Sequence, residues 1–436
     1  MPPSASESSA EIARDILPLF RTRNSDLWQY RVANNYGVDA HDGVWLLKDA
    51  VQEEGAAAVY PVVVKAIAST VRAILHADDS SGIIGDAVRR LLVLHAELAC
   101  EVQPPARPLV DWLMRFHFDG TQDFFEVEPA DYVEALGDNG MAIFRAALDA
   151  VADQGFTLPD HLDHFKWVAL APAGVSYSLK FQPTPRVYAL RYFAERFAVL
   201  DKDGARLVEI IAGGRGGANI ATLVASALVE IGDVDGAITW ARNGAHDEGR
   251  AGGHGIFERR CATLWCELLA QHRPEEEVEA RRWVVQRFPT STSAAELRRA
   301  AGKDFGKYEA EVEASLQRNP DEYVTYLGWV AGDVSRAWGE AKRLGVTSPH
   351  TWERLCTAYG PANPAAVIPV LKELVDVDLE QADARQYRIA VKRLKQIRSL
   401  SLAADAEADF EAYVADLREE HRRRPRLQQE FTRAGL

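Results

Sequence analysis

Two short stretches decide the fold of this chain: Ile231-Gly232-Asp233-Val234 and Ala331-Gly332-Asp333-Val334. In each, the glycine can end one helix in the left-handed conformation and the aspartate can cap the start of the next. Alanines follow three and seven residues after each valine, so they share one helix face and allow close packing. The two stretches therefore predict two helical hairpins of the same shape, 100 residues apart.

Helical periodicity extends outward from these hairpins over most of the chain. Apolar residues recur at the spacing of an amphipathic helix in the segments 86–101, 218–231, 234–243, 257–272, 275–288 and 386–400. Helical hairpins in series are typical of repeat proteins. We predict an all-α fold, in which degenerate tetratricopeptide-like hairpins stack as an α-solenoid.

One segment departs from this periodicity. Between Pro172 and Pro183, apolar and polar residues alternate as in an extended chain, for example at Val175 and Tyr177. Prolines end helices, so we predict one short extended segment near residues 174–186. The predicted organisation is a disordered N-terminus (1–10), an N-terminal helical domain (11–170), a proline-rich linker (171–186) and a C-terminal helical-repeat domain (187–436).

Composition excludes several classes of protein. The chain has 436 residues and a net charge of −14, with 50 Lys and Arg against 64 Asp and Glu. The N-terminus lacks the basic and apolar regions of a signal peptide. The most apolar stretch, residues 56–75, contains Pro61, Lys65 and Arg72, which disfavours a membrane span. With four scattered cysteines, we expect a cytoplasmic protein with no membrane association.

Three groups of residues carry a family resemblance. They are Asp78-Asp79-Ser80-Ser81-Gly82 with Leu94-His95 and Ala99-Cys100; Ala227-Leu228 and Gly232-Asp233 with Trp240-Ala241-Arg242-Asn243-Gly244; and Phe410, Tyr413, Leu417-Arg418, His421-Arg422-Arg423-Arg424, Leu427 and Ala434-Gly435-Leu436. Over most of residues 55–436 the chain resembles the helical region of bacterial SWIM zinc-finger family proteins and a related domain family of unknown function. The resemblance implies a tetratricopeptide-like fold and supplies no catalytic residues.

The zinc finger itself is absent from the sequence. A SWIM zinc site needs Cys-x-Cys followed by Cys-x-His, which together supply four ligands. The cysteines are Cys100, Cys261, Cys266 and Cys356, and no two of them have that spacing. We therefore do not carry over the zinc site or a nucleic-acid role that depends on it.

The sharpest metal candidate is Asp160-His161-Leu162-Asp163-His164. On a helix, His161 and His164 would share a face, and both imidazoles could reach one ion. The alternative is a helix start with acidic residues in its first turn and His164 at the edge of the core. The sequence identifies no third ligand.

The glycine-rich loop between residues 244 and 255 is the second candidate site. It contains His246, Asp247, Glu248 and His254, and long loops in compact repeats are often functional. The alternative is a solvated insertion. A second glycine-rich run, Gly213-Gly214-Arg215-Gly216-Gly217, fits neither the dinucleotide nor the P-loop pattern, so we interpret it as a turn and expect no cofactor.

The C-terminal end differs in charge from the rest of the chain. From residue 385 onward there are twelve Lys and Arg against eight Asp and Glu. The candidate patch for an anion or nucleic acid comprises Arg388, Lys392, Arg393, Lys395, Arg422, Arg423, Arg424 and Arg426. The alternative is that these cations stabilise helix ends and pack against acidic neighbours. Aromatic residues do not interleave with the arginines, which disfavours single-strand binding.

The sequence contains no cluster of catalytic residue types, and no nucleophile or metalloprotease motif occurs. The leading hypothesis is a non-catalytic scaffold or adaptor that binds a protein partner, because stacked hairpins produce a large curved surface. The alternatives are a metal-dependent enzyme that uses a His/Asp cluster and a nucleic-acid accessory protein that uses the basic C-terminal helices.

Overall fold

The chain is mostly helical in the part that the computed structural model describes, residues 5–22, 26–178, 186–247 and 255–436. No β-strand occurs in these residues, so the predicted all-α class is confirmed. The chain divides into two compact units, Met1–Gly253 (unit 1) and His254–Leu436 (unit 2). Each unit has its own large apolar core.

Unit 1 is built from ten of the described α-helices. They are α1 (Ala5–Ile16), α2 (Tyr30–Glu54), α3 (Ala56–Ile74), α4 (Ile83–Val102), α5 (Ala106–Phe118), α6 (Val133–Ala152), α7 (Val187–Leu200), α8 (Gly204–Ala212), α9 (Ala218–Ile231) and α10 (Val234–Ala245). Helix α1 begins inside the segment for which the sequence suggested disorder, because Ile12 and Ile16 pack into the unit 1 core.

Unit 2 contains eleven α-helices among its described residues. They are α11 (Ile256–His272), α12 (Pro274–Arg287), α13 (Ser291–Ala301), α14 (Glu309–Leu316), α15 (Pro320–Thr325), α16 (Val334–Leu344), α17 (Pro349–Tyr359), α18 (Pro364–Glu380), α19 (Ala384–Ala403), α20 (Glu407–Glu420) and α21 (Pro425–Ala434). The helices predicted at 257–272, 275–288 and 386–400 correspond to α11, α12 and α19.

The first of the two predicted hairpins is formed by α9 and α10. Gly232 ends α9 with φ of +81°, in the left-handed region that glycine adopts without strain. The Asp233 carboxylate accepts a hydrogen bond from the Gly236 backbone N at 2.9 Å and so caps α10. Ala237 and Ala241 are fully buried, as the hairpin requires. The predicted geometry is confirmed.

The second hairpin has the same turn but a different first arm. Gly332 has φ of +80°, and Asp333 accepts a hydrogen bond from the Arg336 backbone N at 2.8 Å. The preceding helix α15 continues as a π-helix over Tyr326–Val330, in which the Ala331 N–H donates to the Tyr326 carbonyl at 2.9 Å. The turn is therefore repeated, whereas the helix before it is locally widened by one residue per turn.

A carboxylate on α6 fixes the non-helical segment that follows this helix. Asp149 Oδ1 accepts hydrogen bonds from Trp167 Nε1 at 3.0 Å and from the Leu170 N at 2.8 Å, and Oδ2 accepts one from the Ala171 N at 2.8 Å. This half-buried carboxylate therefore satisfies two backbone N–H groups that no helix satisfies, together with the Trp167 indole N–H. This contact holds the segment against the unit 1 core, where Trp167 and Leu170 pack.

The predicted extended segment and linker lie partly outside the described residues. Residues 175–178 have no regular secondary structure, and residues 179–185 are not described. Tyr177 on one side and Leu190 and Phe193 on the other belong to the same unit 1 core. The compact units meet in sequence at 253/254, whereas the sequence placed a boundary at 171–186.

Helix α3 is long and apolar enough, by length and composition, to cross a bilayer. More than half of it is buried inside unit 1, where it packs against α1, α2 and α4. Val59, Val63 and Ala66 are fully buried in that interface. Its apolar residues therefore belong to the unit 1 core. The sequence had disfavoured a membrane span here because of Pro61, Lys65 and Arg72.

Candidate functional sites

The histidine pair predicted as a metal site lies on a short 3₁₀ turn, Asp160–Leu162, and the residues that follow it. His164 Nε2 lies 3.3 Å from the Ile210 carbonyl oxygen and 3.2 Å from Arg215 Nη2. Arg215 Nη1 donates to the His161 carbonyl oxygen at 3.2 Å. The two histidines therefore do not share the predicted helix face. They lie on a turn whose His161 carbonyl oxygen and His164 ring both contact Arg215.

The electrostatics around His164 favour a neutral imidazole. Burial and the Arg215 guanidinium lower the pKa of His164 below its usual value. A cation at Nε2 would be repelled by that guanidinium. No three His, Cys, Asp or Glu side chains come together as a metal-binding group within the described residues. The metal site at His161 and His164 stays a prediction.

The glycine run before α9 is what brings Arg215 to this turn. Gly213 ends α8 with φ of +52°, and a Cβ at this position would lie 1.9 Å from Cδ2 of His164. Only glycine lets the imidazole pack directly on the backbone here. The run is a turn between helices, as predicted, and sequence reasoning missed the contact of Arg215 with the histidines because it joins residues more than 50 positions apart.

Of the second candidate site, His246 and Asp247 are described, whereas Glu248 and His254 lie outside the described residues. Asp247 Oδ2 accepts a hydrogen bond from the Ala218 N at 3.0 Å, which caps the start of α9. His246 Nδ1 lies 2.8 Å from the Arg242 carbonyl oxygen of its own helix. The two described residues of the loop thus make hydrogen bonds within the α9–α10 hairpin.

The basic residues of α19 are engaged within unit 2. Arg393 is buried and its Nη1 lies 2.6 Å from Asp378 Oδ2. Lys392 lies 3.3 Å from a Glu353 oxygen, and Arg388 donates to the Ala384 carbonyl oxygen. Lys395 lines an open cavity of about 710 Å³ together with acidic Glu407 and Glu411.

Some of the arginines at positions 422–426, around the start of α21, also make contacts within unit 2. Arg424 donates to the Leu379 carbonyl oxygen near the end of α18, at 2.5 Å. Arg422 pairs with Glu419. Arg423 and Arg426 are exposed. The predicted patch is therefore interrupted by internal pairs, and an anion or nucleic-acid site at these residues stays a prediction.

One exposed apolar surface was not foreseen in the sequence, and we call it the α2 face. It consists of Val38, Trp45 and Leu46, which are 50%, 58% and 45% exposed. Their spacing places them on one side of α2. Exposed acidic residues surround them on the same helix: Asp39, Asp42, Asp49 and Glu53. Trp28 and Tyr30, just before and at the start of the helix, are also largely exposed.

The fold and these sites define an all-helical protein of two compact units. The chain belongs to a family of unknown function (DUF6880), whose model matches residues 46–427. The match agrees with the resemblance to a domain family of unknown function, and it gives no support to a SWIM zinc-finger relationship. No curated protein and no solved structure matches the chain.

Proposed function

We propose that this protein is a non-catalytic, tetratricopeptide-like helical scaffold that binds a basic amphipathic segment of a protein partner on the α2 face. The observation that carries the proposal is the exposure of Trp45 beside Val38 and Leu46 on one rigid helix. Interfaces concentrate their binding energy in a few aromatic and large apolar anchors. Helices commonly recognise other helices through such anchors at positions i, i+3, i+4 and i+7.

The opposite side of α2 is firmly held, which keeps the α2 face in place. A Cβ at Gly37 would lie 2.4 Å from Ile83, and a Cβ at Gly43 would lie 2.6 Å from the Phe20 ring. These glycines let α2 approach its neighbours closely, and Val44 and Leu47 pack in the core. A preformed helix loses little conformational entropy on binding, which favours affinity.

Charge supports a basic partner. Four exposed carboxylates surround the anchors on α2 and outnumber its two exposed basic residues, Arg31 and Lys48, and the whole chain carries a net charge of −14. Complementary charge speeds encounter and selects the register of the bound segment. Lysines and arginines flanking apolar residues on the partner helix would meet these carboxylates. An acidic segment would be repelled.

The test uses two synthetic helical peptides with the same apolar anchors, one flanked by Lys and Arg and the other by Glu. Titration calorimetry of the full chain is expected to show binding of the basic peptide only. Trp45→Ser is expected to weaken it by about tenfold or more. The control is Leu402→Ser, which removes an exposed apolar side chain in unit 2 that is not part of the α2 face. It is expected to leave the affinity unchanged.

Equal binding of the two peptides, or equal affinity of the wild type and Trp45→Ser, would overturn the proposal. A second copy of the chain is the other occupant that the experiment distinguishes. Sedimentation at increasing concentration would then show dimers that Trp45→Ser abolishes, and the peptide would compete with them. That result would replace a foreign partner by self-association.

The two alternative functions have weaker support. A metal-dependent enzyme would need a further ligand beside His161 and His164, where Arg215 stands instead. Metal analysis of the purified chain and of a His161→Ala/His164→Ala variant separates that function from a scaffold, since bound metal lost in the variant would favour the enzyme. A nucleic-acid role would depend on basic residues of which several pair internally.

A further inference from the structure

A small, partly open cavity in unit 1 is lined by polar groups that have no partner among the described residues. It measures about 120 Å³ and lies between the end of α5, the residues that follow it and the start of α7. Its lining comprises His117, Gln122, Asp123, Phe125, Glu126, Arg186, Tyr188 and Ala189. A cavity of about 150 Å³ can hold a molecule the size of benzene, so this one can hold a slightly smaller molecule.

Two nitrogens on the cavity wall have no hydrogen-bond partner among the described residues. They are Nε2 of His117, whose side chain is 4% exposed, and Nε of Arg186. Buried polar atoms in native proteins are nearly always paired, with protein, water or a ligand. Two unpaired nitrogens on one cavity therefore indicate an occupant that presents oxygen atoms to them.

The surroundings hold both nitrogens in position. The His117 ring meets the Phe193 ring edge-on, with centroids 4.7 Å apart. Arg186 Nη1 lies 3.2 Å from Asp123 Oδ2. Gln122 bonds to the backbone at both ends of its amide: Nε2 donates to the carbonyls of Phe116 and Phe125, and Oε1 accepts from the N–H groups of Phe124 and Phe125. His117 and Gln122, on the inner side of the cavity, are thus fixed by buried contacts, whereas Asp123 and Glu126 lie at its exposed rim.

A carboxylate, Glu126, lies at the exposed rim of the cavity. Glu126 makes no ion pair among the described residues, and burial together with the nearby Glu195 raises its pKa. A carboxylate in that setting is stabilised by a cation of its own. The cavity therefore offers donors for an oxygen at one side and an acceptor for a cation at the other, with Phe125 and Ala189 as apolar wall.

We infer that this cavity binds a small zwitterion, a free α-amino acid with a short side chain. Its carboxylate accepts from Arg186 Nε–H and from His117, which presents the Nε2–H tautomer. Its ammonium group donates to Glu126. A simple carboxylate would meet Glu126 unfavourably, and a simple amine would leave the two nitrogens unpaired. This site is separate from the α2 face, and it is independent of the proposed scaffold function.

The test compares three probes of similar size by titration calorimetry on the full chain: L-alanine, propionate and ethylammonium. L-Alanine is expected to bind saturably at micromolar to millimolar concentration, at least about tenfold more tightly than either single-charge probe. Arg186→Gln and Glu126→Gln are each expected to weaken L-alanine by about tenfold or more, the effect of losing a charged hydrogen bond. Arg90→Gln and Glu97→Gln, at exposed positions of α4, are the matched controls.

Thermal melting of each variant shows that it is folded before its affinity is compared. Absence of L-alanine binding at millimolar concentration would mean that ordered water alone fills the cavity and would overturn the inference. Propionate or ethylammonium that binds as tightly as L-alanine would also overturn it, because one of the two charged contacts would then be idle. Loss of binding in the α4 controls would place the site elsewhere.

Discussion

Arg393 and Asp378 form a buried ion pair in unit 2, with 2.6 Å between Arg393 Nη1 and Asp378 Oδ2. Both side chains are at least nine-tenths buried, and the guanidinium also donates to the Leu374 carbonyl oxygen at 2.9 Å. Arg393 was part of the predicted basic patch, and its charge is instead neutralised in the core of α18 and α19. Arg393 is therefore expected to contribute to the stability of unit 2 rather than to a binding surface.

Removing one member of this pair should be costly. Arg393→Leu leaves the Asp378 carboxylate buried without its partner, which typically costs about 3–5 kcal/mol of unfolding free energy. Urea unfolding followed by tryptophan fluorescence measures the loss. The control is Arg388→Leu, an exposed position on the same helix, expected within about 0.5 kcal/mol of the wild type. The double variant Arg393→Leu/Asp378→Leu should regain most of the loss, and a single variant as stable as the wild type would contradict the structural role.

Buried histidine should make unit 1 sensitive to acid. Burial lowers the pKa of His95 from 6.5 to about 3, while His95 Nδ1 lies 2.9 Å from the Tyr132 hydroxyl. Below about pH 6.5 the unfolded chain takes up a proton that the folded imidazole does not. The unfolding free energy therefore falls as pH decreases from 6.5 towards 3, by about 1.4 kcal/mol per pH unit for this group.

The variant His95→Asn removes this contribution while keeping a polar atom towards Tyr132. It is expected to be less stable than the wild type at neutral pH, and the gap should narrow steadily as pH falls. Urea unfolding at several pH values between about 4 and 7 measures it. His350→Asn changes an exposed histidine and should keep the wild-type slope. A gap that stays constant with pH would show that His95 titrates as in the unfolded chain.

The contact of Gly213 with His164 predicts a steric effect that can be isolated. Gly213→Ala places a Cβ 1.9 Å from the imidazole, whereas Gly214→Ala, at φ of +80°, has no atom within 4 Å of its Cβ. Both substitutions carry the cost of the left-handed backbone, about 1 kcal/mol. Gly213→Ala should lose clearly more, and His164→Ala in the same chain should recover the excess. Equal losses in the two alanine variants would be inconsistent with the contact.

Nucleic-acid binding through the C-terminal arginines is expected to be weak. Arg393 and Arg424 are used internally, and the exposed Arg423 and Arg426 leave few contacts for phosphate. Fluorescence anisotropy with labelled DNA and RNA, from low to physiological salt, is expected to show at most binding that disappears with salt. Binding that persists at physiological salt and is lost in Arg423→Ala/Arg426→Ala would restore the nucleic-acid hypothesis.

The hairpin turns were predictable because their causes are local. A glycine in the left-handed conformation followed by a capping aspartate needs only four residues, and Gly232-Asp233 and Gly332-Asp333 both behave as expected. The π-helix before Gly332 was not predictable in this way. The sequence of Tyr326–Val330, Tyr-Leu-Gly-Trp-Val, contains no local signal that distinguishes a π-helix from an α-helix.

The candidate sites were harder to predict because burial and proximity are tertiary properties. Trp45 and Leu47 are two residues apart, yet one is 58% exposed and the other fully buried. Only the position of α2 against its neighbours distinguishes them. His117 and Arg186 line one cavity although 69 positions separate them, and neither belongs to a motif. His161 and His164 were noticed because they are only three positions apart in sequence, and this spacing gives no indication that Arg215 lies beside them.

The three hydrogen bonds to Asp149 also bear on the order in which the chain can mature on the ribosome. The donors on Trp167, Leu170 and Ala171 follow the carboxylate by 18, 21 and 22 residues. Chains fold from the N-terminus while they are being made. A nascent chain that ends shortly after α6 therefore still carries a solvated Asp149, and this fastening of unit 1 can close only once the later donors have emerged from the exit tunnel.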